Sequence, residues 1–347
     1  MITGILWAVL AGLMLGLYAL PNKFTRDFEE ENIWGLFFML TMFLVPVVAT
    51  VAIMHGAGAI YGDPAVRAIL PRMVLASVLW GIGVMMWGKA IHHIGVSLGF
   101  SIFIGTVILV GSLLPFLVEG LPAPKAAAAI FCGLFFVLLG VFSNGRAGIA
   151  REKSEVASGQ RKQGEGKSMS AGIAIAVVGG LLATGFSFAN AVGRPPLHAA
   201  SMAQGNPAWV TALAVMLPIF LSGGVVMAGY FAWQLTSKQL WGKFSTPALG
   251  RNFILILIMA VLHYAASAVF AYAAFRLGAV GNTVGYAIFN TSCVVTAIVS
   301  GIVVGEWKTA PTAARNSLHL GLAAMVIGIL IISFGNMLAS AAAAATS

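Results

Sequence analysis

Three consecutive hydrogen-bonding side chains, Asn290, Thr291 and Ser292, stand inside GYAIFNTSC (residues 285–293), a stretch otherwise apolar enough to dissolve in lipid. Such a trio offers neutral hydrogen bonding, with donors and acceptors but no charge. Groups of the same kind fall near the middle of other apolar runs: Trp80, Thr106, Tyr264 and Tyr286, with His263 beside Tyr264. Together they suit a polyhydroxylated ligand, whose hydroxyls exchange water for side-chain partners while its C–H faces stack on rings. They suit a cation poorly. His263 is the titratable residue expected near mid-depth, and an imidazole with a reference pKa of about 6.5 can load and release a proton in the physiological range. Glu119 and Glu306, near span ends, and Asn190 are candidates for gates.

Each of these residues also has a purely structural role open to it. Thr106, Thr291 and Ser292 can bond the carbonyl four residues back along their own helix. Asn290 can bridge two helices, and His263 can sit neutral against a neighbour. Trp80 can simply pack, Asn190 can do the same, and Glu119 and Glu306 can be interfacial carboxylates in water.

The elements that must position these groups are membrane helices. Of 347 residues, 60% are apolar and 8% are charged, against about 25% charged in soluble domains. Apolar runs of roughly 20 residues, enough to cross about 30 Å of hydrocarbon, recur along the whole chain. Ten spans are expected, at residues 2–20, 33–54, 71–91, 97–118, 126–145, 170–190, 208–234, 252–275, 283–304 and 315–338. The first run lacks a basic leader and a small-residue cleavage site, so it reads as retained. Cys132 and Cys293 both lie in apolar runs and read as packing residues, with no disulfide or metal site implied. The net charge of +9 sits in loops between spans, where topology accounts for it and a nucleic-acid partner is not needed.

The hydrophilic segment NGRAGIAREKSEVASGQRKQGEGKSMS (residues 144–170) reads as a flexible linker between five spans and five more. Residues 1–145 and 170–347 then form two units, with 146–169 joining them. Of the nineteen Lys and Arg residues, Arg67, Arg72, Lys125, Arg194 and Arg276 fall on the N-terminal side of the membrane and the other fourteen opposite. By the positive-inside rule the linker is cytoplasmic and both termini lie outside.

The second unit repeats the first. GILWAVLAGLMLGLYALPN (residues 4–22) lies over GIAIAVVGGLLATGFSFAN (residues 172–190), GFSIF (99–103) over GYAIF (285–289), and Glu119 with Pro124 over Glu306 with Pro311. Because five is odd, the second copy enters the membrane from the opposite face, which makes the halves inverted repeats. An all-α integral membrane fold of ten transmembrane helices in two inverted five-helix repeats is therefore expected. Exchanging the conformations of the halves exchanges inside for outside, the architecture of an alternating-access carrier.

Four segments, YALPNKFTRDFEEENIWG (residues 18–35), LWGIG (79–83), IGVSLGFSIFIGTVILVGSLLP (94–115) and GIVVGEW (301–307), resemble the L-rhamnose-proton symporter family of the drug/metabolite transporter superfamily. The resemblance implies import of a deoxysugar or a similar small solute together with a proton. Enteric members carry an acidic residue near the start of the ninth span, where this chain has Asn282, Thr283 and Val284. That departure bears on the coupling ion and on the sugar. The chain holds no Walker A sequence, so ATP hydrolysis within it is excluded, and no cofactor is implied. The reading is thus a secondary transporter of a bacterial inner membrane, not an enzyme, with a small neutral sugar and a proton as partners. Oligomeric state is left open. An exporter of another metabolite and a non-transporting membrane sensor or assembly protein remain as alternatives.

Overall fold

The computed structural model describes residues 2–94, 96–158, 168–278, 281–305 and 307–346. Among them every regular element is helical. Helix α1 (Ile2–Leu17) runs into a 3-10 turn, Leu20–Phe24. Helix α2 (Glu30–Met39) continues through a π turn, Leu40–Leu44, into α3 (Val45–Ile53). Pro46 explains the wide turn: it lacks an N–H and its ring crowds the carbonyl four residues back, so the ladder loosens ahead of it. Then follow α4 (Ala57–Gly62), α5 (Pro64–Ile94), α6 (Val96–Leu113), α7 (Phe116–Glu119) and α8 (Pro124–Ala157). The second half comprises α9 (Met169–Ala183), α10 (Gly185–Ala203), α11 (Thr211–Ser237), α12 (Leu249–Leu277), α13 (Gly281–Val304) and α14 (Thr312–Thr346).

Nine helical segments among the described residues are long and apolar enough to cross a membrane, and α6 adds a shorter apolar stretch, Ser101–Leu113. The chain is a multi-pass membrane protein. Its exterior is built for lipid: Val51, Phe135, Phe142, Val225 and Leu330 are large, apolar and exposed. Polar side chains are inside instead, including Asn32, Thr41, Asn190, Asn252 and Asn282, all fully buried. One expectation changes. Residues 144–157, read as flexible linker, continue α8 as helix. The sequence AGIAREKSEVA (147–157) is made largely of good helix formers, and Arg151 donates to Glu155 one turn on at 2.6 Å.

The helices interleave the two halves of the sequence. Helix α1 packs on α12 and α13, and α5 packs on α9, α10 and α11. Helix α6 meets α8, α9 and α13, while α8 and α14 lie together along their length. Glycines make that last approach possible. A methyl group on Gly133 would meet the Gly328 carbonyl oxygen at 2.9 Å, and one on Gly140 would meet the Gly321 carbonyl oxygen at 2.6 Å. With apolar side chains on both lipid and protein sides, close backbone contact of this kind is what holds membrane helices together.

Asparagines tie the halves at both ends. At the end bearing Lys23, Arg26, Lys238, Lys243 and Arg251, the basic end, Asn252 accepts the Arg26 N–H (3.1 Å) and donates to the Arg26 carbonyl (2.7 Å). Asn32 donates to the Leu240 carbonyl at 3.0 Å. At the opposite end Asn206 does the same for His55, accepting its N–H and donating to its carbonyl, both at 2.9 Å. Each clamp satisfies a peptide group that would otherwise be stranded at a helix junction.

Candidate functional site

A cavity of about 660 Å³ opens between α1, α2, α5, α11 and α12, reaching from the basic end into the core. Its walls are mainly rings: Tyr18, Trp34, Phe37, Trp80, Trp87 and Phe231. Helical spacing puts them there. Trp34, Phe37 and Phe38 stand on one face of α2, and Trp80, Val84 and Trp87 on one face of α5. The rings brace each other, with Trp34 edge-on to Phe37 at 5.4 Å and Trp80 against Phe186 at 5.2 Å and Phe220 at 5.7 Å.

His263 lies at the deep part of this cavity, within 5.1 Å of the Tyr18 ring, 5.4 Å of Phe37 and 5.7 Å of Phe220. Thr41, on the π turn, places its hydroxyl 3.1 Å from His263 Nδ1 and donates to the Ala260 carbonyl at 3.2 Å. A threonine hydroxyl has one proton, so with that proton on Ala260 it accepts from His263. Nδ1 then bears the hydrogen, and Nε2 keeps the lone pair. The arrangement leaves an imidazole able to accept a proton or a hydroxyl without breaking its anchoring bond.

Polar groups concentrate toward the mouth. Gln234 donates to the Tyr230 hydroxyl at 2.8 Å, and the Trp34 indole N–H donates to Glu30 at 2.9 Å. Lys238, at the end of α11, pairs with Glu31 of α2 across the mouth. Lys243 pairs with Glu29 at 3.4 Å, and the Thr246 hydroxyl donates to Asp27 at 2.8 Å. The acidic run at residues 27–31, which reads in sequence most simply as a solvated loop, is therefore tethered to the α11–α12 connection. Glu29 also caps α2, and the Asn32 side-chain oxygen accepts the Glu29 N–H in return.

Among the residues singled out by sequence, Trp80 and His263 line this cavity. Tyr264 is buried behind it, edge-on to Phe220 at 5.1 Å. Tyr286, Asn290 and Thr291 are buried on α13. There Asn290 donates to the Tyr286 carbonyl at 3.0 Å, and the Tyr286 ring packs against Phe186 and Phe270. Thr106 donates to the Ile102 carbonyl at 2.8 Å, packs against Gly180 of α9 and borders the flank between α6 and α8. Asn190 donates to the Asn282 side chain at 2.6 Å, away from the cavity, so the departure at Asn282 has a defined partner. The Glu119 side chain and the whole of Glu306 lie outside the described residues. Tyr18, Trp34, Tyr230 and Gln234 were not singled out, although Tyr18 and Trp34 fall inside the family-like segment 18–35.

The chain matches the sequence profile of the L-rhamnose-proton symport protein over residues 1–340. A protein named L-rhamnose-proton symporter from Cronobacter sakazakii is 25% identical over 341 residues, covering 96% of this chain and 97% of that relative. Proteins of the same name from Salmonella gallinarum and Salmonella paratyphi A are 25% identical over 344 residues, with the same coverage. A match of this extent takes in every helix that forms the aromatic cavity, and with it the chain belongs to the L-rhamnose-proton symport protein family.

Proposed function

We propose that this protein carries L-rhamnose or a closely related deoxysugar, together with a proton, across the inner membrane of a bacterium by alternating access. The observation that carries this reading is the cavity. Its volume of about 660 Å³ falls in the range of about 300–1,000 Å³ usual for small-molecule sites. Its ring walls fit the C–H face of a deoxysugar, and Tyr18, Gln234, Tyr230 and His263 fit its hydroxyls. Trp80 is the stacking platform, and His263 holds the transported proton on Nε2. Tyr264 acts from behind by fixing Phe220, and Glu119 and Glu306 stay gate candidates on repeat-related positions alone.

The architecture we propose is ten crossings, α6 included, in two inverted repeats. Residues 1–145 form one, 170–347 the other, and 146–169 a cytoplasmic connection. Helix contacts support it. Gly12 of α1 lies against Ser292 and the Phe289 carbonyl of α13, and Gly180 of α9 lies against Thr106 and the Phe103 carbonyl of α6. In the sequence repeat Gly12 corresponds to Gly180, Phe103 to Phe289, and Thr106 to Ser292. A two-fold operation therefore turns the first contact into the second. Gly133 and Gly140 share their seven-residue spacing with Gly321 and Gly328, one residue out of step with the Pro124–Pro311 match, and the contacts 133–328 and 140–321 exchange under the same operation. With the basic end in the cytoplasm, the cavity faces inward, and the Asn190–Asn282 bond belongs to the closed outer gate. Tyr286, Asn290, Thr291 and Thr106 would reach the solute only after the halves exchange conformations.

A thermal-shift panel of the purified protein against deoxysugars, pentoses and polyols tests the substrate class. A ligand at one hundred times its dissociation constant stabilises by about 2.7 kcal/mol, so L-rhamnose is expected to raise the midpoint and amines to leave it unchanged. A shift with amines or amino acids and none with sugars would overturn the proposal.

A further inference from the structure

The outer flank of α6 and α8 carries a second cavity, of about 450 Å³, distinct from the aromatic one. Its walls are mainly apolar, with Ile102, Leu109 and Val110 on α6 and Leu138 and Phe142 on α8; Ser101 and Thr106 also border it, and Arg146 is its charged residue. The notch exists because Gly105 has no side chain. A methyl group there would find only Val141 at 3.6 Å and Leu138 at 4.0 Å, ordinary contacts with room beyond. At the corresponding position of the second repeat, Thr291 carries a fully buried side chain. One half of the molecule has a groove where the other has a filled interface.

The depth of the groove identifies what it holds. Helix α8 starts at Pro124, so at 1.5 Å per residue Leu138 lies about 21 Å and Arg146 about 33 Å along it. With Pro124 taken as one edge of a hydrocarbon core of about 30 Å, the groove runs through the tail region of a single leaflet and ends at headgroup level. Arg146 is exposed there and makes no ion pair or hydrogen bond with any described residue. Lys153, exposed on the same helix two turns further out, adds to the positive field. An apolar trough of one leaflet's length, closed by an uncommitted guanidinium, matches an acyl chain and its phosphate.

We propose that this groove binds one anionic phospholipid of the leaflet at the basic end, its acyl chain over Gly105 and its phosphate on Arg146. A zwitterionic lipid would bind less well, because its own ammonium competes with the guanidinium for the phosphate.

Native mass spectrometry of the purified full chain tests this, with equimolar phosphatidylglycerol and phosphatidylethanolamine added. The unmodified protein is expected to retain one phosphatidylglycerol in preference. Arg146→Gln should lower that retention about fivefold, the worth of one basic side chain near an anionic headgroup, and leave phosphatidylethanolamine unaffected. Gly105→Leu should remove both lipids by filling the trough. Equal retention of the two lipids by the unmodified protein, or phosphatidylglycerol retention unchanged by Arg146→Gln, overturns the proposal. So does a dimer that Gly105→Leu dissociates, since the groove would then hold a second copy of the chain. Because Arg146 is exposed, its variant stays informative even where Gly105→Leu fails to fold.

Discussion

His263 and Trp80 stand on α12 and α5, in different halves of the sequence, and Phe220 contacts both rings at 5.7 Å. Their proposed roles separate by experiment. Replacing Trp80 with Ala removes a stacking face worth about 0.5–1.5 kcal/mol, so the half-saturating L-rhamnose concentration should rise several-fold with the maximal rate less affected. Unchanged uptake kinetics would show that the indole only packs. His263→Gln keeps a side chain able to bond Thr41 but cannot carry a proton. Exchange of labelled for unlabelled sugar across proteoliposomes should survive, while accumulation driven by a pH gradient should be lost. Loss of both activities would instead assign His263 to binding or folding. Both residues were conspicuous in the sequence, since an imidazole near mid-depth is costly to leave without a partner and an indole there offers a stacking face. Asn290 was equally conspicuous, yet its amide bonds its own helix at the Tyr286 carbonyl. Tyr18 and Gln234 escaped notice because each lies near a span end. Only the packing of α1 against α12 and of α2 against α11 turns them toward the same space.

At the scale of elements, helix type and position followed from apolar runs, since lipid permits few alternatives to a helix. Helix ends did not. Polar composition obscured the last turns of α8, where Ala, Arg, Glu and Lys favour helix even in water. The π turn at Leu40–Leu44 was equally hidden, though Pro46 was its visible cause. The α8–α14 contact offers a direct test of packing. A valine at Gly140 would collide with the Gly321 carbonyl, 2.6 Å from where its Cβ must sit. Overpacking of this kind typically costs about 1–3 kcal/mol. Gly140→Val is therefore expected to lower the thermal midpoint in detergent, as followed by tryptophan fluorescence, whereas Gly88→Val, where a Cβ meets nothing within 4 Å, should not. Equal midpoints for the two variants would mean that the glycine contact is not close.

For the whole molecule, the proposed duplication rests on matched motifs that recur in one order along both halves. Which helix meets which was not legible in the sequence, since sequence spacing gives a helix its faces but not its neighbours. Orientation rests on the unequal distribution of lysine and arginine. A cysteine placed at exposed Lys153, in a protein with Cys132 and Cys293 replaced, should react with a membrane-impermeant maleimide in inside-out vesicles and stay unlabelled in intact cells. The reverse pattern would invert the topology and turn the cavity outward.

The central claim, proton-coupled sugar uptake through the aromatic cavity, is tested most directly by labelled L-rhamnose uptake into proteoliposomes under an inwardly directed proton gradient. Internal sugar is expected to exceed the external concentration transiently, to fall to equilibrium when a protonophore is added, and to build up several-fold more slowly in Trp80→Ala at low sugar. Uptake that never exceeds equilibrium, or that ignores the protonophore, would contradict it.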